Sequence, residues 1–213
     1  MSAVSSKTSG QSFLQLEYGL TLPSGSFADI TDSPGAGHAR PGLSLKAAFS
    51  TVVKDRLSAT VSWRYGFNQA DYPRAGYRYA EHYSLLESGK YQLHFLNGGL
   101  AYSFFKTCQW QTSVSISGGW LFYRWPAVYS NEYNEFTLVS SELVKKSGKG
   151  QSPAGSIDFT SAYKVSRTID LLMSAEWFRA FYSENKTRLT PNLVSINIGL
   201  RFSLSNVQPV NNQ

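Results

Sequence analysis

The chain has 213 residues, of which 15% are aromatic and only 16% charged, and its formal net charge is +6. Mean hydropathy is −0.26, and no stretch approaches the roughly 18 consecutive apolar residues that a spanning helix needs, which excludes a helical membrane protein. A single cysteine, Cys108, excludes an internal disulfide framework, and dispersed Lys and Arg leave no basic stripe of the kind that tracks nucleic acid.

Residues 1–11 form a small, polar, Ser-rich lead that is expected to be flexible. It lacks the apolar core of a secretory signal, so an exported chain would be a mature form. The first predicted strand is Ser12 to Leu22. Leu14, Leu16, Tyr18, Leu20 and Leu22 share one face, with Gln15, Glu17, Gly19 and Thr21 on the other. Alternation of this kind marks a strand with one apolar and one polar side. A long loop rich in Gly, Pro, Ser and Asp follows, of about 20 residues. The second strand, Leu43 to Val52, sets Leu45, Ala47 and Phe49 against Ser44, Lys46 and Ser50. After a tight turn the third, Leu57 to Asn68, sets Leu57, Ala59, Val61, Trp63, Tyr65 and Phe67 against Ser58, Thr60, Ser62, Arg64 and Gly66. A second long loop, residues 69–90, carries Tyr72, Tyr77, Tyr79 and Tyr83.

The fourth strand, Tyr91 to Phe105, changes parity. Tyr91, Leu93 and Phe95 are odd, whereas Leu100, Tyr102 and Phe104 are even. A bulge at Asn97-Gly98-Gly99 is expected to absorb the slip. That assignment gives His94 lumen parity. The fifth strand, Trp110 to Arg124, places Trp110, Val114, Ile116, Trp120 and Phe122 opposite a row of Ser and Gln. The third and longest loop spans residues 125–153, part of which, residues 135–145, extends neighbouring strands beyond the membrane. The sixth strand, Ala154 to Val165, puts Asp158 and Lys164 on its polar face. The seventh, Ile169 to Tyr182, does the same with Asp170 and Glu176. The last, Leu193 to Leu204, alternates Val194, Ile196, Ile198, Leu200, Phe202 and Leu204 against Ser195, Asn197, Gly199, Arg201 and Ser203. Residues 206–213 form a polar tail.

Connections alternate long and short, which is the pattern of an all-β, eight-stranded antiparallel up-and-down barrel crossing a membrane. Residues 12–205 form that barrel, with the short turns and N-terminus on the periplasmic side and the long loops outside. A soluble lipocalin-type barrel is the alternative, but its apolar residues would line the interior. Here the charge-bearing face holds Glu17, Lys46, Arg64, His94, Asp158, Lys164, Glu176 and Arg201. Charges of both signs in a narrow lumen are expected to pair there. Arg124 and Arg179 share the apolar parity but fall at loop-side strand ends, where a charge costs little. Aromatics gather towards both strand ends, among them Trp63, Tyr65, Trp110, Trp120, Phe122, Trp177 and Phe202. They read as two interfacial girdles.

The segments LEYGLTLPSGSFAD, GLSLKAAFSTVVKDRLSATVSWRYGFN and INIGLRFSL carry a family resemblance. The chain resembles small outer-membrane barrels of the OmpA/OmpX kind, especially the outer-membrane β-barrel domain proteins of Bacteroidota. In the last strand, Asn197, Gly199, Phe202 and Leu204 resemble the β-signal that the insertion machinery reads. This chain departs from many such proteins by continuing about nine residues past Leu204. The resemblance implies an outer-membrane location and a structural or interaction role. It implies contact with outer-membrane lipid, lipopolysaccharide, the insertion machinery and other envelope proteins, and none with nucleic acid.

Catalysis has little support. A lipid-modifying barrel would need a Ser or Tyr nucleophile with a His and an acid. Glu81-His82-Tyr83-Ser84 holds those residue types, but neighbours on an extended chain point to opposite faces. No cofactor motif and no metal-ligand spacing is present, and Gly35-Ala36-Gly37 lacks the Lys and helix of a phosphate loop. The readings that remain are a structural or interaction barrel with tyrosine-rich loops and a lumen filled by polar side chains, or a narrow channel for small solutes. With eight strands, side chains normally fill the interior, which favours the first.

Overall fold

A computed structural model of the chain describes residues 10–29, 37–70, 82–134, 137–181 and 191–204, with the side chains of 82–87 outside that description. The lead before Gly10, Tyr72, Tyr77, Tyr79, Glu81 and the tail after Leu204 lie outside the described residues, as do the side chains of His82, Tyr83 and Ser84. The strands are β1 (Ser12–Pro23), β2 (Ala39–Lys54), β3 (Leu57–Ala70), β4 (His82–Ser88), β5 (Lys90–Lys106), β6 (Trp110–Trp125), β7 (Val128–Asn134), β8 (Thr137–Lys145), β9 (Gly148–Lys164), β10 (Ile169–Ala180) and β11 (Asn192–Leu204). Eight of them close into a barrel in the order β1-β11-β10-β9-β6-β5-β3-β2. Every ladder is antiparallel, and β11 returns to close on β1.

The short turns have local causes. Asp55, between β2 and β3, has φ 41°, a left-handed conformation that Asp tolerates better than most residues. After β5, the Thr107 hydroxyl accepts from the Trp110 N–H at 2.9 Å. After β9, the Ser166 hydroxyl accepts from Ile169 N–H at 3.0 Å. Such side-chain bonds offer the backbone a turn in place of a continued ladder. The last residues of the lead join the wall, with Gly10 N–H donating to Val52 O at 3.3 Å.

Period-two alternation sends the apolar rows outward. Leu16 is 49% exposed, Ile116 67% and Ile198 61%, whereas Glu17 is 4% and Glu176 2% exposed. An apolar belt this continuous is far larger than water-soluble monomers present. On β6, Trp110 and Trp120 lie about 33 Å apart along the strand at ~3.3 Å per residue. A tilt of about 40° shortens this to about 25 Å along the axis, the height of the apolar band in membrane barrels.

At the seam, large inward side chains face glycine. A Cβ on Gly199 would lie 2.8 Å from Glu17 Cγ, and one on Gly19 would lie 2.2 Å from Asn197 Oδ1. Glu17 is the register partner of Gly199, and Gly19 of Asn197.

Two expectations are corrected. No bulge occurs at Asn97-Gly98-Gly99. The β3–β5 register runs unbroken from Leu57↔Tyr102 to Gln69↔Lys90, and the irregularity against β6 falls at Ser103/Phe105. The second and third long loops are also partly strand. β4, β7 and β8 form a separate antiparallel sheet in the order β4-β7-β8. Each strand of this sheet adjoins a barrel strand in the chain, β4 with β5, β7 with β6 and β8 with β9, so its order repeats that of the wall. Pro126, between β6 and β7, has no N–H to give to a ladder, which explains a break there. Residues 137–145 thus form a strand that continues beyond β9, as expected, but in a sheet separate from the barrel ladder.

Candidate functional site

The lumen is built in layers. At mid-height, β2 and β3 present Lys46 and Arg64 as register partners. Across from them, β9 and β10 present Asp158 and Glu176, also register partners, and β1 adds Glu17 beside Lys46 as its register partner. Like charges side by side on one wall repel, so each side must be answered across the interior. Lys46 does this. Its Nζ pairs with Asp158, and lies 3.4 Å from Glu17 Oε1 and 3.3 Å from Glu176 Oε2. Arg64 pairs with Glu176 and donates to Ser195 Oγ at 2.7 Å. Ser174 donates to Glu17 Oε2, and Thr160 to Asp158 Oδ1 at 2.7 Å. Buried carboxylates persist when pairing and hydrogen bonds occupy their oxygens. Beside this layer, Ser62, Asn97, Ser115, Ser117 and Ser156 help line a polar cavity of about 20 Å³, room for one water.

Nearer the short turns, Arg201 crosses the mouth. It donates to Asp170 Oδ2 at 2.8 Å and to Gln111 Oε1 at 2.9 Å. Its guanidinium also lies 4.7 Å from the Phe13 ring centroid, a cation–π distance. Asn197 accepts from Ser44 at 3.1 Å and donates to Ser174 at 3.0 Å, tying β2, β11 and β10 together.

The loop-side end of the lumen is apolar, which the residue pattern alone did not reveal. Phe27, Tyr91, Leu93, Phe95, Leu121, Tyr123, Phe178 and Leu193 form one buried cluster. Phe95 and Phe178 meet edge to face at 4.7 Å between centroids. Phe27 comes from the first long loop, on a short 3-10 turn, Gly25–Phe27, and meets Tyr91 at 5.0 Å. Tyr91 donates its hydroxyl proton to Gly37 O at 2.6 Å, which draws the far end of that loop over the same mouth. A signal for part of this cluster was available: Leu121 and Tyr123 continue the parity of Ser113–Ser117, and Phe178 continues that of Glu176.

Of the residues expected in the lumen, Glu17, Lys46, Arg64, Asp158, Glu176 and Arg201 are brought together as pairs or layers. His94 is a correction. It is exposed on the outer face, with its ring 4.8 Å from Tyr65 and 6.1 Å from Trp63. With no slip at Asn97-Gly98-Gly99, Leu93 and Phe95 turn inward and His94 must turn out. Lys164 is also corrected: it keeps inward parity but is exposed at the short-turn rim, among residues lining a shallow vestibule. The girdle residues Trp63, Trp110, Trp120, Phe122 and Trp177 are all exposed outward, and Tyr65 and Phe202 share their parity half-buried. In the β-signal-like set, Leu204 is exposed outward while Asn197 is buried inside. Among the described residues, no group of His, Cys, Asp and Glu could hold a metal ion.

No family model matches the chain, and no curated protein matches it. Solved structures do. Neisserial surface protein A superposes with a TM-score of 0.52 at 10% identity, over 90% of this chain and 95% of that one. Ail, the attachment invasion locus protein of Yersinia pestis, superposes at 0.50 and 8% identity, over 92% of this chain and 99% of that one. Its complex with the heparin analogue sucrose octasulfate gives 0.52 over the same shares. The chain has the fold of a small outer-membrane β-barrel. At these identities the likeness speaks for the fold. The outward apolar rows and the girdles independently require a bilayer around the wall.

Proposed function

We propose that the protein is an outer-membrane barrel with a structural or interaction role, whose lumen does not conduct and whose long-loop side carries the working surface. One observation supports this above others: the interior holds side chains of opposite walls in contact at two heights. Lys46 touches Asp158 across it, and Phe95 touches Phe178 above. A solute would have to break a buried ion-pair network and then an apolar layer, and neither offers a hydrated path. On the loop side, the β4-β7-β8 sheet carries exposed Tyr129, Leu138, Val139, Leu143 and Val144. Ail is named for attachment, and attachment through this side is the corresponding reading here. No nucleophile with His and acid partners emerges among the described residues to favour catalysis.

Purified protein in planar bilayers is expected to give no steady conductance. Stable, large single-channel steps would replace this reading with the narrow channel. In intact cells, a cysteine probe at Ser147 is expected to be labelled from outside and one at Asp55 protected; the reverse would invert the barrel.

A further inference from the structure

Near the loop-side rim, polar residues face outward at Arg179 on β10 and Asn192 on β11, and in a larger cluster on β5, β6 and β9. Gln92 on β5 is the register partner of Arg124 on β6, which is the partner of Lys149 on β9. The next outward row towards the belt is His94, Phe122 and Gln151. These six residues line one open groove of about 500 Å³. On the flanking strands, Tyr65 and Phe67 on β3 and Trp177 on β10 lie outward near this rim, with Arg179 beyond Trp177.

The groove sets two cations directly opposite one another. Like charges so placed repel, and among the described residues neither Arg124 nor Lys149 has an ion-pair partner. Lys90 stands on the same rim, with its Nζ 5.2 Å from the Phe67 ring centroid. Arg124 lies two residues beyond Phe122 and four beyond Trp120. That is about 5 and 10 Å along the barrel axis at ~3.3 Å per residue and a tilt of about 40°. With the girdle rings at the membrane interface, the cations reach the level of lipid phosphates. Beneath the His94, Phe122 and Gln151 row the wall is apolar, with Trp120 and Leu96 exposed.

We propose that this groove binds the phosphate of a lipid headgroup in the leaflet on the long-loop side. The site rests on the membrane reading above. Arg124 supplies the planar fork that matches a phosphate, Lys149 supplies a point charge, and the amides of Gln92 and Gln151 flank them. The acyl chains run down past Phe122, Trp120 and Leu96. The anion above and the apolar wall below select an amphiphile over a soluble polyanion, which would have no use for that wall.

The test uses the full chain in mild detergent, with retained lipid counted by native mass spectrometry. Bis-phosphorylated lipid A is compared with its dephosphorylated form. The unaltered protein is expected to retain the phosphorylated lipid at least tenfold better. Arg124→Gln/Lys149→Gln is expected to lose that preference and Lys149→Gln to lose part of it, while Lys54→Gln/Arg167→Gln, at the opposite rim, keeps it. Equal retention by the groove variants, or no discrimination by the unaltered protein, overturns the site. Full displacement of the lipid by millimolar inorganic phosphate would also overturn it, in favour of a free-anion site. Insertion into phosphatidylcholine vesicles and heat-modifiable migration are scored on the same samples. A barrel that inserts without phosphate preference sinks the groove alone, whereas failure to insert sinks the membrane reading with it.

Discussion

The mid-height of the lumen and its loop-side end both hold buried side chains in contact, but of opposite chemistry. The apolar layer of Phe27, Tyr91, Phe95, Leu121 and Phe178 is graded: each side chain contributes its own burial, about 1.5–3 kcal/mol for a large one. The layer of Glu17, Lys46, Arg64, Asp158 and Glu176 is not. Each ion gave up its hydration, and only the complete set offsets that loss. The apolar layer should therefore weaken by degrees when trimmed, and the charged layer should fail when a single partner is removed.

The largest effect is expected at the hub. Lys46→Met leaves three carboxylates facing one another with Arg64 alone, and should cost about 3–5 kcal/mol. Urea unfolding of the refolded barrel in micelles measures it. Adding Asp158→Asn and Glu17→Gln to Lys46→Met should recover part of the loss. A triple variant no better than the single one would break the contrast, because it would mean that packing, not charge, dominates both layers. In the apolar layer, Leu121→Ala should cost about 2–4 kcal/mol by loss of burial and a residual cavity. Paired with Phe178→Ala, the losses should fall short of the sum, because both side chains belong to one cluster. The outer wall calibrates both layers. Phe202→Asp puts a charge on the lipid-facing side near the short-turn rim, where it should cost about 1 kcal/mol or less. Refolding in detergent should then be near normal while membrane-extracted yield from cells falls. If both yields fall together, Phe202 is only a wall residue and carries no insertion signal.

Most of the fold was legible because alternation is a geometric necessity of strands. The strand starts at Ser12, Leu57, Trp110 and Ile169 fall where the pattern starts, and the placement of Glu17, Lys46, Arg64, Asp158, Glu176 and Arg201 follows from parity alone. His94 went astray for a physical reason. Reading Leu93 and Phe95 as lipid-facing assumes that apolar always means outward, and the loop-side lumen violates that assumption. Phe27 was illegible in principle: a loop residue has no parity, and its burial is set by where the loop folds. The β4-β7-β8 sheet was hidden because Leu138-Val139 and Leu143-Val144 are doublets, which do not alternate.

The glycines at the β1–β11 seam bear on how the barrel finds its register. A slip of two residues would keep every side chain on its proper face, so the alternating outer rows could not distinguish it from the correct closure. The inner row can. In the native pairing each bulky group meets an empty place, Glu17 against Gly199 and Asn197 against Gly19. Slipped one way, Glu17 would confront Arg201 and the two glycines would face each other across a gap. Slipped the other way, Glu17 would be forced onto Asn197. The last strand thus carries a notch-and-tooth code against the first, and closure is checked by shape at the one joint of the barrel that no connecting segment spans.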